Sequence, residues 1–108
     1  MLETHQVLWT DTARQDLTEI IDYIAQDSVE NALVILDKRE AVAAQLATLP
    51  HRGRIVPELL QTGISQYREF ISAPWRIVYR IESQRVLVMA VLDSRRDLQV
   101  VLLNRLSH

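Results

Sequence analysis

The stretch from Trp75 to Leu92 limits the possible fold more than any other part of the chain. Trp75-Arg76-Ile77-Val78-Tyr79-Arg80-Ile81 is rich in aromatic and β-branched residues. Val86-Leu87-Val88-Met89-Ala90-Val91-Leu92 is apolar without a break, and Glu82-Ser83-Gln84 lies between the two runs. Two such segments joined by a tight polar turn predict a β-hairpin. The second run has no polar alternation, as expected of a strand buried on both faces. Tyr67 to Ile71 reads as one more strand, closed by a turn at Ala73-Pro74. The product is a three-stranded antiparallel meander, and at least one of its faces has to be covered.

The cover is expected from the first half. His5 to Trp9 alternates loosely and predicts a short strand. Thr10 can cap a helix with Asp11 in its first turn, where negative charge suits the helix dipole. Leu17, Ile20, Ile21 and Ile24 form an apolar stripe, with Asp16, Glu19 and Asp22 placed toward water. Ser28 can cap a second helix whose buried stripe is Ala32, Ile35, Leu36, Val42, Ala43, Leu46 and Leu49, and Pro50 ends it. So short a link between helices predicts an antiparallel hairpin. His51 to Ser65, with Gly53, Pro57 and Gly63, reads as an irregular connection with a short strand or turn near Ile55-Val56. Leu98, Val101, Leu102 and Leu106 are spaced for one face of a short C-terminal helix. The expected fold is a single α+β domain over 1–108. It has a helical hairpin on a small, mainly antiparallel sheet, in the order β-α-α-β-β-β, followed by that helix.

With 108 residues and no cysteine, the chain can form no disulfide framework and no thiolate metal site. His5, His51 and His108 lack metal-ligand spacing, and no Gly-rich phosphate loop is present, so no metal and no cofactor are expected. The N-terminus has no basic region followed by a long apolar run, and no apolar run approaches the roughly 20 residues of a membrane helix. The expectation is a soluble cytoplasmic protein without membrane contact.

The net charge of -2 hides an asymmetry. Residues 1–50 carry nine acids against Arg14, Lys38 and Arg39, whereas residues 51–108 carry nine arginines, no lysine and five acids. Arginine without lysine suits planar, bidentate contacts to carboxylate or phosphate. Side-chain alternation puts Trp75, Ile77, Tyr79 and Ile81 on the core face of their strand. Arg76, Val78 and Arg80 then look away from the helices, where Arg68, Arg95 and Arg96 can join them. Such a face either binds an anionic partner or is a solvated surface paired across strands to Glu69 or Glu82.

Several stretches together resemble the ParE/RelE toxins. These are Ala13-Arg14-Gln15-Asp16-Leu17 with Ile21-Asp22-Tyr23-Ile24, Leu49-Pro50-His51-Arg52-Gly53-Arg54-Ile55-Val56-Pro57-Glu58-Leu59, Tyr67-Arg68-Glu69, Trp75 to Ile81, and Val91-Leu92-Asp93-Ser94-Arg95-Arg96-Asp97-Leu98. The resemblance spans nearly the whole chain, in order, and rests on the set rather than on any one piece. It implies a co-expressed, ParD-like antitoxin that wraps the toxin. Two branches share the fold. RelE-like members cut messenger RNA in the ribosome with basic side chains and often a late tyrosine; ParE-like members lack that set and are associated with inhibition of DNA gyrase.

Carried over by position, the nuclease's strand arginine falls at Arg76 and its arginine near the end of the sheet at Arg96. The first of its two basic strand positions falls at Arg68 and the second at Phe70, and the late tyrosine falls at Leu102. Cleavage by a 2′-hydroxyl needs a base and an acid, and an ordinary arginine is a poor proton acceptor. The expectation is therefore a gyrase-directed toxin that acts by binding. A ribosome-dependent endoribonuclease using Arg68, Arg76 and Arg96, or a degenerate, non-toxic interaction module, are the alternatives. Antitoxin or target contacts are expected at Arg68, Arg76, Arg95, Arg96, Leu98, Val101, Leu102 and Arg105. The non-catalytic reading requires Arg76 to look outward with no histidine, lysine or tyrosine against it.

Overall fold

The structure is a computed structural model, and it describes residues 4–93. Strand β1 (Gln6–Trp9) leads into helices α1 (Asp11–Ala25) and α2 (Val29–Ala44), and a 3-10 turn follows at Gln45–Ala47. A two-residue strand, β2 (Arg54–Ile55), and a single helical turn, α3 (Pro57–Leu60), precede the meander β3 (Tyr67–Ser72), β4 (Trp75–Glu82) and β5 (Arg85–Asp93). The five strands form one sheet in the order β1-β5-β4-β3-β2, antiparallel except for the β1–β5 pair. The α+β hairpin-on-sheet architecture is as expected. The C-terminal helix expected over Leu98 to Leu106 lies outside the described residues. Among the described residues no helix is long and apolar enough to cross a membrane.

Both helix starts form where the capping residues predict. Thr10 accepts a hydrogen bond from the Ala13 amide, and Ser28 accepts one from Asn31. α2 ends at Ala44, and the 3-10 turn relaxes the chain before Pro50. Leu49, expected in the buried stripe, is therefore carried off the helix axis and is 53% exposed.

The sheet is covered on both sides. Ala13 and Ala43 of the hairpin pack on Ile77, Val88 and Val91, and Leu46 packs on Tyr79 and Val86. On the opposite side, Val56 and Leu59 pack on Tyr67, Val78, Ala90 and Leu92. The segment Val56 to Ile64, read from the sequence as irregular, is thus a strap that roofs the second face. Its short helix begins with Pro57 and carries Glu58 in its first turn, both favourable at a helix start. The apolar run of β5 is explained: it is the strand sandwiched between the two layers.

A bulge decides which β5 side chains go to which layer. Val78 opposes Ala90 but Tyr79 opposes Val88, so Met89 is the extra residue. Val86 and Val88 face the helices before it; Val91 faces them after it. β1 stops at Trp9, and α1 then satisfies the edge of β5. The Thr10 amide and hydroxyl both donate to the Val88 carbonyl, and the Asp16 carboxylate accepts from the Val91 amide at 3.0 Å. Asp16, expected toward water, is 7% exposed because the edge amide needs an acceptor once β1 has ended.

Arg39 of α2 ties the hairpin to the β3–β4 turn. It donates to the Ser72 and Ala73 carbonyls and stacks 4.5 Å over Trp75. Burial pulls its pKa below the ordinary arginine value.

Replacing Asp16 by Ala leaves the Val91 amide buried without an acceptor and is expected to cost about 1–3 kcal/mol. Asp16→Asn, which keeps a carbonyl oxygen there, is expected to cost clearly less. Urea unfolding of the three proteins checks the order.

Candidate interaction sites

The sequence places the candidate arginines on one face, and the structure divides them. Residues opposite each other in an antiparallel ladder share a face. Arg76 opposes Ile71 and Arg80 opposes Tyr67, whereas Arg68 opposes Tyr79. Arg76 and Arg80 therefore lie on the strap side and Arg68 on the helix side. The expected Arg68–Arg76 pairing on a single face is not present.

Nor is Arg76 outward-facing. It is 7% exposed, roofed by α3. Its Nη1 and Nη2 each donate to one oxygen of Glu58 at 2.7 Å, and its Nε donates to Glu69. Glu69 is fully enclosed and also accepts from Arg54 Nε at 2.7 Å. Val56, Leu59, Val78 and Leu92 supply an apolar surround. A cation in such a place needs carboxylate partners with nearly ideal geometry, and the bidentate pair to Glu58 provides it. Burial pulls the Arg76 pKa down, but the two carboxylates outweigh it and hold it above the ordinary value. Arg76 in turn holds the Glu58 carboxyl below the usual range, against the opposing effect of that carboxyl's burial. The network joins the Glu58 of Pro-Glu-Leu to the Glu69 of Tyr-Arg-Glu, two pieces that sequence reasoning had left separate. The signal available was Val78, an apolar residue between two supposedly solvated arginines.

The case for a non-catalytic toxin argued from an outward arginine face thus fails at Arg76. Its burial withdraws the guanidinium from a target-binding face and equally from a reacting phosphate. Arg80 pairs with Glu82 at 2.9 Å, and Arg85 pairs with the same carboxylate. The first pair lies along β4 and the second crosses to β5, and both belong to a charged surface. Arg95, Arg96, Leu98, Val101, Leu102 and Arg105 lie outside the described residues.

The helix side of the β2–β3 edge is built differently. Arg68 donates through Nη1 to the Gly53 carbonyl at 2.8 Å. Arg52, which sequence reasoning passed over, lies with its guanidinium 4.4 Å from the centre of the Phe70 ring and donates to Gln45. Phe70 holds the position where a nuclease would carry its second basic strand residue; here it is a platform for an arginine. Tyr79 fixes the loop beneath them. Its hydroxyl donates to the Pro50 carbonyl and accepts from the Gly53 amide, both at 2.9 Å. Burial pushes the phenol's pKa up, partly offset by the Gly53 hydrogen bond and the charge on Arg68. So held, the phenol is a poor base at neutral pH. Gly53 is required by close approach: a Cβ there would stand 2.3 Å from the Glu69 carbonyl oxygen and 2.6 Å from the Tyr79 hydroxyl.

A groove of about 670 Å³ runs between α1 and α2 and opens at β1. Leu17, Ile21 and Leu36 line it with Val7 and Trp9, and Arg14, Asp22 and Glu40 stand on its rim. Val29 and Leu33 are more than half exposed and continue the stripe of Leu36 along α2. Among the described residues no cluster of three metal-ligating side chains exists.

Residues 7–98 match the family model described as the ParE toxin of the type II toxin–antitoxin system parDE. The chain is 29% identical over 94 residues to Toxin ParE3 of Caulobacter vibrioides, covering 86% of this chain and 90% of that protein. Its fold is similar to that of the chromosomal ParDE system from P. aeruginosa, with a TM-score of 0.69 and 18% identity over 84% of this chain and 97% of that one. It is also similar to a chain of the toxin–antitoxin complex RelBE2 from Mycobacterium tuberculosis, with a TM-score of 0.56 and 23% identity over 86% and 94% of the two chains.

Arg76→Ala leaves Glu69 enclosed with only Arg54 beside it and is expected to cost about 3–5 kcal/mol. Arg54→Ala removes an exposed side chain and leaves Glu69 paired with Arg76, so it is expected to cost clearly less than Arg76→Ala. The depressed Glu58 carboxyl adds a pH dependence. Its contribution is fully present above the ordinary glutamate range and is lost as pH falls through the lowered folded-state value. Urea midpoints measured from about pH 7 to about pH 3 should fall more steeply for the wild type than for Glu58→Gln.

Proposed function

Because the chain belongs to the ParE toxin family of type II toxin–antitoxin systems, we propose that it poisons DNA gyrase by binding and is neutralised by a ParD-like antitoxin seated in the hairpin groove. One observation carries the non-catalytic half of this reading. Arg68 and Arg76 stand on opposite faces of the sheet, and Arg76 is held by Glu58 and Glu69. In-line attack on a phosphodiester needs charge stabilisation and proton transfer converging on one phosphate. Two guanidiniums divided by a strand do not converge, and the Tyr79 hydroxyl is engaged with Pro50 and Gly53.

The groove supports the antitoxin half. An apolar channel between two helices, open at one end beside a strand edge, fits an amphipathic segment that folds as it binds. Leu17, Ile21 and Leu36 offer apolar sites at helical spacing, and Val7 and Trp9 line the end beside the strand. The similar solved folds come from a ParDE system and a RelBE2 complex, which agrees with an antitoxin partner.

Purified toxin is expected to inhibit supercoiling by gyrase and to trap a cleavage complex, and addition of the antitoxin should restore supercoiling. Primer extension on translated message is expected to show no new ends. Codon-specific cuts that disappear in Arg68→Ala would replace this reading with the ribosome-dependent ribonuclease. In the groove, Leu36→Glu should abolish rescue by co-expressed antitoxin while toxicity remains.

A further inference from the structure

We propose that Arg52 and Arg68 form a docking point for an acidic peptide segment of a protein partner, separate from the hairpin groove. The two side chains converge from different elements. Arg68 donates to the Gly53 carbonyl, Arg52 is the residue before Gly53, and Arg52 lies over Phe70, which shares the helix side of β3 with Arg68. The loop that carries Arg52 is fastened through the Tyr79 hydroxyl to Gly53 and Pro50, so the pair is presented on a fixed frame.

Neither guanidinium has a carboxylate partner among the described residues, in contrast to Arg54, Arg76, Arg80 and Arg85. The sequence supplies none nearby: residues 41–57 contain no aspartate or glutamate, while His51, Arg52 and Arg54 fall within them. Glu69, the acid next to Arg68 in sequence, points to the opposite side and is enclosed there. Arg68 spends Nη1 on Gly53, and Arg52 spends one nitrogen on Gln45. The remaining N–H groups of two planar forks stay available for carboxylate oxygens. Leu49, 53% exposed on the same loop, adds an apolar contact beside them.

Carboxylate and phosphate both suit such forks, and the surroundings select the former. A nucleic-acid strand gains its affinity from many phosphate contacts along its length. This patch offers two guanidiniums, and the hairpin next to it belongs to a half that carries nine acids against three cations. A strand that continued from the patch along the hairpin would run into that acidic surface. A short segment with two or three acids fits inside the basic area and ends before it. The inference rests on the partner-binding reading above only for which protein carries the segment.

The test titrates the full chain with a fluorescein-labelled hexaglutamate peptide and follows anisotropy at low ionic strength. Arg52→Ala and Arg68→Ala are each expected to weaken binding about fivefold or more, and Arg85→Ala, whose partner is Glu82, less than about twofold. Arg52 is exposed, and among the described residues its side chain engages Gln45 and Phe70, so its variant keeps the fold even if Arg68→Ala loosens the Gly53 loop. Equal losses from all three variants would reduce the effect to bulk charge and overturn the proposal. Absence of peptide binding, or tighter binding of a thymidine oligonucleotide of the same charge, would overturn it as well. Peptide binding without antitoxin rescue would leave this inference standing and count against the groove; rescue without peptide binding would do the reverse.

Discussion

A guanidinium enclosed between protein layers must be matched by carboxylates, because an unpaired ion there would cost several kcal/mol. Arg76 sets that demand at the centre of β4, and the chain meets it from two directions. Glu69 reaches it from the next strand, and Glu58 reaches it from the strap. The strap therefore has a charged fastening as well as an apolar one. Val56 and Leu59 lie on Val78, Ala90 and Leu92, and the bidentate pair fixes where along the strand they lie. Without this arrangement β5 would expose one side of a continuous apolar run, and the sheet would have a single covered face.

The same interaction reorganises the functional geography. Arginines that share a sequence pattern fall into three physical situations. Arg76 is a buried structural cation, Arg80 and Arg85 are surface partners of Glu82, and Arg52 and Arg68 keep donors that no carboxylate among the described residues satisfies. Of these, the last kind has the most to gain from an anionic partner. The helical hairpin contributes a contrasting surface, apolar along the groove and acidic around it. Two surfaces of opposite character on so small a domain suit the binding role proposed for it.

Much of the framework was legible because it depends on neighbours in sequence. Thr10 and Ser28 cap helices because a short side chain satisfies an amide three residues on, which needs no knowledge of the rest of the chain. The β4–β5 hairpin follows from two apolar runs about one turn of chain apart. What was missed depends on distant partners. Asp16 looks solvated on a helical wheel, yet it accepts from Val91, 75 residues away. The strap looked like a loop because a single helical turn has no periodicity to detect. The bulge at Met89 changes the facing of β5 without any polar residue to announce it.

Sequence alone determined the succession of elements apart from the strap helix, the helix starts and the both-sided burial of β5, since each follows from residue type and local spacing, and its motifs carried the likeness to ParE toxins. Tertiary structure alone decided the face on which each arginine lies and whether it is spent. Side-chain alternation says which residues share a side of one strand, but strand register says which residues of two strands share it. Register placed Arg68 with Tyr79 and Arg76 with Ile71. Whether a face meets water depends on what crosses above it, and here a four-residue helix carrying Glu58 crosses above Arg76.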